Sequence, residues 1–481
     1  MVSVLIAGAG PVGLTLANEL TRYGIGVRIV DPAAERTDKS KALVLWSRTL
    51  ELFDQGGYVD PFLAAGVPAQ GAQLSNGKDV VARVSLDSIQ SRYPYALMIP
   101  QSETERVLEE QLGKRGVKVE RTVSLESFAD KSEGVQAVLR SAKGETETVT
   151  ADWLIGCDGA HSTVRHGLGF AFEGTTQQSD WWLADVMLTG LEPHDLLHIF
   201  WHKDGILAFF PMGGGRWRVI GDLGPATSES HHPDPTLEEV QALITHRGTA
   251  GIVISHPYWL AAFRINERKV AHYGRGRVFV AGDAAHIHSP AGGQGMNTGM
   301  QDVFNLAWKL SLVIRGVCKP ALLDSYSIER SAVGDMVLSN ASRLTDMAVL
   351  RNPLLQTLRN TVVKFASGFP QVAHIVADTL SELNIGYPKS PLSVTSGHPH
   401  ETTAGARWPD RLPGDASKAH FTAVGPSDTT AALAAKFPQL VQAGGAKATD
   451  LSLIRPDGYV GFAGAASDRS AAEAYLQNLA R

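Results

Sequence analysis

Three short segments, far apart in the chain, carry the residue types that hold a dinucleotide. The first is Gly8-Ala9-Gly10-Pro11-Val12-Gly13, with Asp31 further on. Gly8 suits a tight turn, Gly10 lets a pyrophosphate approach bare backbone, and Gly13 lets a helix pack closely on a strand. Asp31 is positioned to hydrogen-bond an adenosine ribose, and an acid there disfavours a 2′-phosphate. The second is Gly282-Asp283 and the loop behind it, with Gly292, Gly293 and Gly295. Glycines bring backbone N–H groups close to a ligand. A helix expected from about Asn297 points its positive end at the same loop, so an anionic or electron-rich group belongs there. The third is Cys157-Asp158-Gly159, which taken alone reads equally well as an ordinary Asp-Gly turn. The fingerprint by itself separates neither FAD from NAD. No second GxGxxG occurs, so only one dinucleotide has a Rossmann site.

Those segments need elements to position them. Val2 to Ala7 is a continuous apolar run, as in a parallel strand buried on both faces. A helix from about Val12 to Tyr23 follows, then a strand from Val27 to Val30 that ends in Asp31. Val278 to Ala281 reads as another buried strand, leading into Gly282-Asp283. From about Thr175 to Phe263 the pattern is of strands, with turns at Lys203-Asp204-Gly205 and Gly213-Gly214-Gly215. This predicts a mostly antiparallel sheet, to which Gly71 to Tyr95 adds strands. After Asp302 an amphipathic helix continues, with more helices to about Leu383. The Pro-, Gly- and Ser-rich tract 384–415 reads as a linker. Phe421 to Val424, Leu451 to Ile454 and the RPDGYVGF segment suggest a small final sheet.

The fold class expected is α/β (α+β). A discontinuous Rossmann-like domain covers 1–70, 96–174 and 268–390. An inserted sheet domain covers 71–95 and 175–267, and a linker with a small C-terminal domain covers 391–481. Length supports two or three domains. Apolar content of 44% and charged content of 19% describe a globular chain. A net charge of −5 without basic blocks argues against nucleic acid. No apolar run reaches about 18 residues, so no membrane partner is expected. The N-terminal VSVLIAGAG lacks a basic lead and runs into the glycine motif, so it is read as a strand, not a signal segment. Cys157 and Cys318 show neither disulfide nor zinc spacing and fit a reducing cytoplasm.

Together, the fingerprint, the segment Cys157 to Arg165, and Gly282-Asp283 with its loop resemble the single-component (class A) FAD-dependent aromatic hydroxylases. The resemblance spans about residues 1 to 390. It is nearest to the phenol hydroxylase and polyketide (anthracycline, rifampicin) hydroxylase branch with its thioredoxin-like C-terminal domain. It implies a fold like those of glutathione reductase and p-hydroxybenzoate hydroxylase, with FAD as cofactor and NAD(P)H as electron donor. It implies that O₂ adds to reduced flavin, and that the resulting C4a-hydroperoxyflavin passes one oxygen atom to a small aromatic, phenolic or polyketide-like substrate. Monomer or homodimer is expected. By the same resemblance, Asp283 would bond the flavin ribityl chain, and Gly295, Met296 and Asn297 would offer backbone groups to the pyrimidine edge. Pro290 would lie near the reactive flavin carbon. Gln101 would sit beside the phosphates, Asp158 would serve FAD and NAD(P)H, and Lys41 and Arg48 stand where relatives use arginine.

The sheet offers aromatic and apolar surface for a ring substrate, including Trp201, Phe209 and Met212, with Pro290, Ala291 and Gly292 on the loop. Alternation sends about half of such sheet residues to each face. His286 and His288 lack the further ligands a metal needs, so no metal is expected. His288 faces the loop and is a candidate for substrate contact or a loop hydrogen bond. No side-chain acid or base is assigned. Rivals on the same fold are Baeyer–Villiger, epoxidising or drug-inactivating monooxygenases. A halogenase lacks support because WxWxIP is absent. An NAD dehydrogenase leaves 278–302 unexplained, and a non-enzymatic flavin binder is the alternative from another class.

Overall fold

Four apolar residues in a row, Val4 to Ala7, are buried in the strand Val2–Ala7. It pairs in parallel with Val27–Asp31 on one side and Thr146–Gly156 on the other. Val278–Val280 lies parallel beyond Thr146–Gly156, and Glu120–Arg121 beyond Val27–Asp31. The antiparallel strands Val123–Lys131 and Gly134–Ser141 continue this eight-stranded sheet from the edge of Thr146–Gly156. The computed structural model describes residues 2–481 except 78, 227–231, 367–368, 400–401 and 446–449.

The second sheet also has eight strands. Its centre is the antiparallel set Val253–Lys269, Glu173–Thr189, Arg216–Pro225, Gly205–Gly213 and Leu196–His202. Gly71–Asn76 joins it in parallel and Asp79–Ser85 follows. At the other edge, His286–Ile287 of the glycine loop pairs with Arg268 and Lys269. The loop is thus stitched into the second sheet while its lead-in strand belongs to the first.

The helix Gly295–Ile314 runs through the middle of the molecule, with sixteen of its residues buried from Asn297 to Leu312. It packs against the helix Pro11–Arg22 through glycine. A Cβ on Gly299 would meet the Val12 side chain at 2.9 Å and Gly282 Cα at 3.0 Å. The helices Asp324–Ala348, Pro353–Ala366 and Pro370–Leu380 follow. A five-stranded sheet with two helices closes the chain. The tract 384–415 is not a loose spacer. Ile385, Tyr387, Ser390 and Leu392 are all buried, because apolar and hydroxyl side chains punctuate its Pro and Gly and are drawn into the joint with the final sheet. Among the described residues, no helix is long and apolar enough to cross a membrane.

Candidate active site

Three parallel strands end side by side at Ala7, Gly156 and Val280, and the three motifs leave from those ends. The register pairs Ala7 with Gly156 and Gly156 with Val280. Cys157 N–H donates to Ala7 O (2.7 Å), and Ala281 N–H donates to Gly156 O (3.0 Å). A crevice outside the carboxyl ends of parallel strands is where open α/β sheets bind ligands. Two of the fingerprint glycines, Gly8 and Gly13, are sterically required. Gly8 has φ +99°, and a Cβ on it would lie 2.3 Å from Cys157 O. A Cβ on Gly13 would lie 2.0 Å from Gly8 O. Nothing lies within 4 Å of a Cβ on Gly10, so that position faces open space. Gly10 is also the N-cap of the helix Pro11–Arg22, and no side chain caps that end. An uncapped helix start beside open space is the cradle that a pyrophosphate fills.

Asp31 ties the fingerprint turn to the end of the strand Val27–Asp31. Its Oδ2 accepts from Ala9 N–H (2.7 Å) and its Oδ1 from Ala33 N–H (2.9 Å). Asp158 Oδ2 accepts from Val164 N–H (3.2 Å), while its buried Oδ1 has no hydrogen-bond partner. Burial raises the Asp158 carboxyl pKa above its ordinary range. Gln101 opens the helix Gln101–Lys114, receives Ala42 N–H (3.2 Å) and donates to Glu105 Oε1 (2.9 Å). Asp283 is exposed to water, with protein packed around its carboxyl. That enclosure raises its carboxyl pKa, against the pull of His286 and Lys41. Lys41 is exposed and near enough for this effect.

At the other end, the first N–H groups of the helix Gly295–Ile314 meet no side-chain cap. Thr298 N–H makes the first intrahelical bond, to Gln294 O (2.8 Å), which leaves the N–H groups of Gly295, Met296 and Asn297 without intrahelical partners. The Asn297 side chain itself is engaged. Its Oδ1 accepts from Trp46 N–H (2.9 Å), and its Nδ2 donates to Val44 O (2.9 Å) and Gly293 O (3.0 Å). Trp46 Nε1 donates to Gly292 O (2.9 Å). The role of Trp46 is not legible in the sequence, because nothing in the spacing of LVLWSR announces partners 251 and 246 residues away. Gly293 has φ +64°, and a Cβ there would lie 2.4 Å from the Val44 side chain. Pro290 is exposed, and Ala291 and Gly292 are partly so, along the rim.

Two expectations need correction. Arg48 is turned away from the crevice. It is 3% exposed, donates to Asp457 O (2.6 Å) and Glu51 Oε2 (3.1 Å), and lies 4.7 Å over the Tyr459 ring. The register of the helix Ser47–Gln55 decides this, and the start of that helix alone reaches the loop. Phe209 is fully buried among Phe200, Trp217, Val240 and Ile244, under the helix Leu237–Arg247. The alternate residues Phe210 and Met212 instead meet Val44, Trp46, Ala377 and Leu380. Trp201 shares their parity, and Arg359 stacks over it at 4.1 Å. On that same face Arg218 makes two hydrogen bonds to Asp185 (2.8 and 2.9 Å) and donates to Lys41 O (2.8 Å). This buried pair fixes the 40–41 loop and was not singled out from sequence.

His286 Nε2 bonds Asp302 Oδ2 (2.8 Å), so it is structural. His288 Nδ1 donates to Ser289 O (2.8 Å), and its buried Nε2 has no partner. Burial lowers the His288 pKa to about 4, so the ring is neutral near pH 7. Among the described residues, His202, Asp204 and His246 are close enough to share an ion. They are already satisfied without one. Asp204 N–H donates to His202 Nδ1 (3.2 Å), and Asp204 Oδ2 meets His246 Nε2 (2.9 Å).

A Rossmann sheet, an uncapped fingerprint helix and a second uncapped helix across one crevice define a FAD-binding oxidoreductase. Comparison with known proteins agrees. The FAD binding domain family model matches residues 1–341. The 6-methylpretetramide 4-monooxygenase of Streptomyces rimosus is 38% identical over 401 residues, covering 82% of this chain and 71% of that one. The rifampicin monooxygenase of Streptomyces venezuelae is 32% identical over 391 residues, 80% of each chain. The solved OxyS anhydrotetracycline hydroxylase of Streptomyces rimosus superposes with a TM-score of 0.80 at 29% identity, over 99% of this chain and 98% of that one. The chain belongs to the FAD-binding-domain family of flavin-dependent aromatic monooxygenases.

Proposed function

We propose that the protein takes electrons from NAD(P)H at FAD and inserts one atom of O₂ into an electron-rich aromatic substrate of phenolic or polyketide type. The observation that carries this is the open start of the helix Gly295–Ile314, whose first N–H groups lack a side-chain cap beside the loop that Trp46 holds through Gly292 and Asn297. Bound FAD supplies the electron transfer and the oxygen activation. The chain's own residues bind, orient and exclude water. Gly8 to Gly13 and Asp31 hold the adenosine end, with Gln101 and Asp158 beside them. Asp283 would hold the ribityl chain, and the N–H groups of 295–297 would be offered to the pyrimidine edge. Those dipoles stabilise negative charge on reduced flavin without a charged side chain. Pro290, Ala291 and Gly292 form the rim over which the ring enters. His288, neutral throughout the working range, adds no competing charge. Two buried free cysteines fit the reducing cytoplasm we assign to the protein.

The test is NAD(P)H oxidation by FAD-loaded protein against a panel of phenols and polycyclic aromatics, with product mass and NMR. A product heavier by one oxygen on a ring carbon is expected, whereas ester formation would assign the Baeyer–Villiger outcome. Phe210→Ala should raise KM for that substrate. A protein that stays colourless after incubation with FAD would end the reading.

A further inference from the structure

We propose that the Arg455 to Gly458 turn of the C-terminal sheet belongs to the flavin-holding apparatus, clamping both walls of the crevice from behind. This rests on the FAD reading above. One arm starts at the Arg455 guanidinium, which is fully buried and bonds Glu329 (2.6 and 3.0 Å) and Asp457. Glu329 also receives Lys309 (2.8 Å), Asn305 (2.6 Å) and Ser390. The next residue on the same helix, Arg330, donates to Asp302 Oδ1 (2.7 Å) and Thr298 O (3.0 Å). Asp302 Oδ2 then accepts from Gly282 N–H (3.0 Å) and meets His286 (2.8 Å). The arm therefore ends on the Gly282-Asp283 turn itself.

The second arm leaves from the backbone of the same turn. Asp457 O accepts from Arg48 (2.6 Å), whose own N–H donates to Ser381 O (3.2 Å). Arg48 is the second residue of the helix Ser47–Gln55, whose N-cap residue, Trp46, holds Gly292 and Asn297. None of Asp302, Lys309, Glu329, Arg330, Arg455 and Asp457 is more than 4% exposed. A buried ion network is poor value as stability alone, since apolar packing commonly replaces one at no loss. Its best-attested use is to fix one geometry, and the geometry at its far end is the flavin loop. Arg455 is a positioning residue in this account.

The experiment compares full-length wild type with Arg455→Met, Arg455→Lys, Asp457→Asn and, as control, Lys436→Ala. Lys436 pairs with Glu473 on the exposed side of the same C-terminal unit. The readouts are the FAD dissociation constant by flavin fluorescence, the visible spectrum of bound FAD, and urea unfolding. Arg455→Met should weaken FAD at least tenfold and shift the flavin bands, Arg455→Lys should recover part of both, and Lys436→Ala should leave both unchanged. If Arg455→Met does not fold, Asp457→Asn decides, with a threefold or greater loss of FAD affinity expected. A cooperatively folding Arg455→Met, or in its place Asp457→Asn, with wild-type affinity and spectrum overturns the clamp. A wild type that binds no FAD overturns the cofactor reading instead.

Discussion

The two halves of the helix Gly295–Ile314 treat polarity in opposite ways. At its start no side chain caps the backbone, three N–H groups lack intrahelical partners, and Gly292, Gly293 and Gly295 lie beside them. About two to four turns later Asp302, Asn305 and Lys309 are fully enclosed, and each has a charged or polar partner. Burial lowers the Lys309 pKa to about 8 despite Glu329, while Arg455 and Lys309 hold Glu329 below the carboxylate range against the cost of its burial. A ligand site is built from hydrogen-bonding capacity left unmet, and a scaffold from capacity met in full.

Breaking the saturated half should have the largest effect. Glu329→Gln leaves Lys309 and Arg455 short of a counter-charge, and a loss of about 3–5 kcal/mol in urea-unfolding free energy is expected. At the open half the expected signature is in affinity. Gly293→Ala puts a Cβ at positive φ and 2.4 Å from Val44, so FAD should bind at least about tenfold more weakly, or about 1.4 kcal/mol. Asp283→Ala should weaken FAD by about tenfold, while the stability of the apoprotein changes little, because the side chain is exposed. Full FAD occupancy and unchanged activity in that variant would contradict the role given to Asp283.

A pH-dependent effect concerns Glu382, which is fully buried and receives Thr298 (2.9 Å) and Gln301 from the helix start. Burial raises its pKa to about 8. The folded state keeps this proton while the unfolded chain, at its ordinary carboxylate pKa, has released it. The stabilisation is therefore full below about pH 4.5 and declines as pH rises to about 8. Glu382→Gln should flatten that part of the melting-temperature profile. A profile with unchanged slope would remove Glu382 as its source.

Much of this was legible because the ligand-facing parts are backbone and glycine. Gly8, Gly13 and Gly282 stand where any Cβ collides with a neighbouring atom, so the sequence had to show them. Strand periods also exposed the second sheet, yet could not tell Phe209 from Phe210, since period two gives parity without saying which face a helix covers. Arg48 was misplaced for a related reason. A long cation next to a flavin motif can turn either way, and the Asp457 carbonyl that captures it lies about four hundred residues along the chain.

What the sequence by itself determined is the chemistry of the crevice. A fingerprint, an Asp-Gly turn and a Gly-Asp loop need only local strand, turn and helix to acquire their meaning. What tertiary structure alone decided is who holds that crevice in shape: Trp46 on Asn297, Arg218 on the 40–41 loop, and Arg455 through Glu329 and Arg330 toward Asp302. Long-range side-chain pairs leave no period and no spacing in a sequence, because each partner answers to the other's position in space and not to its own neighbours.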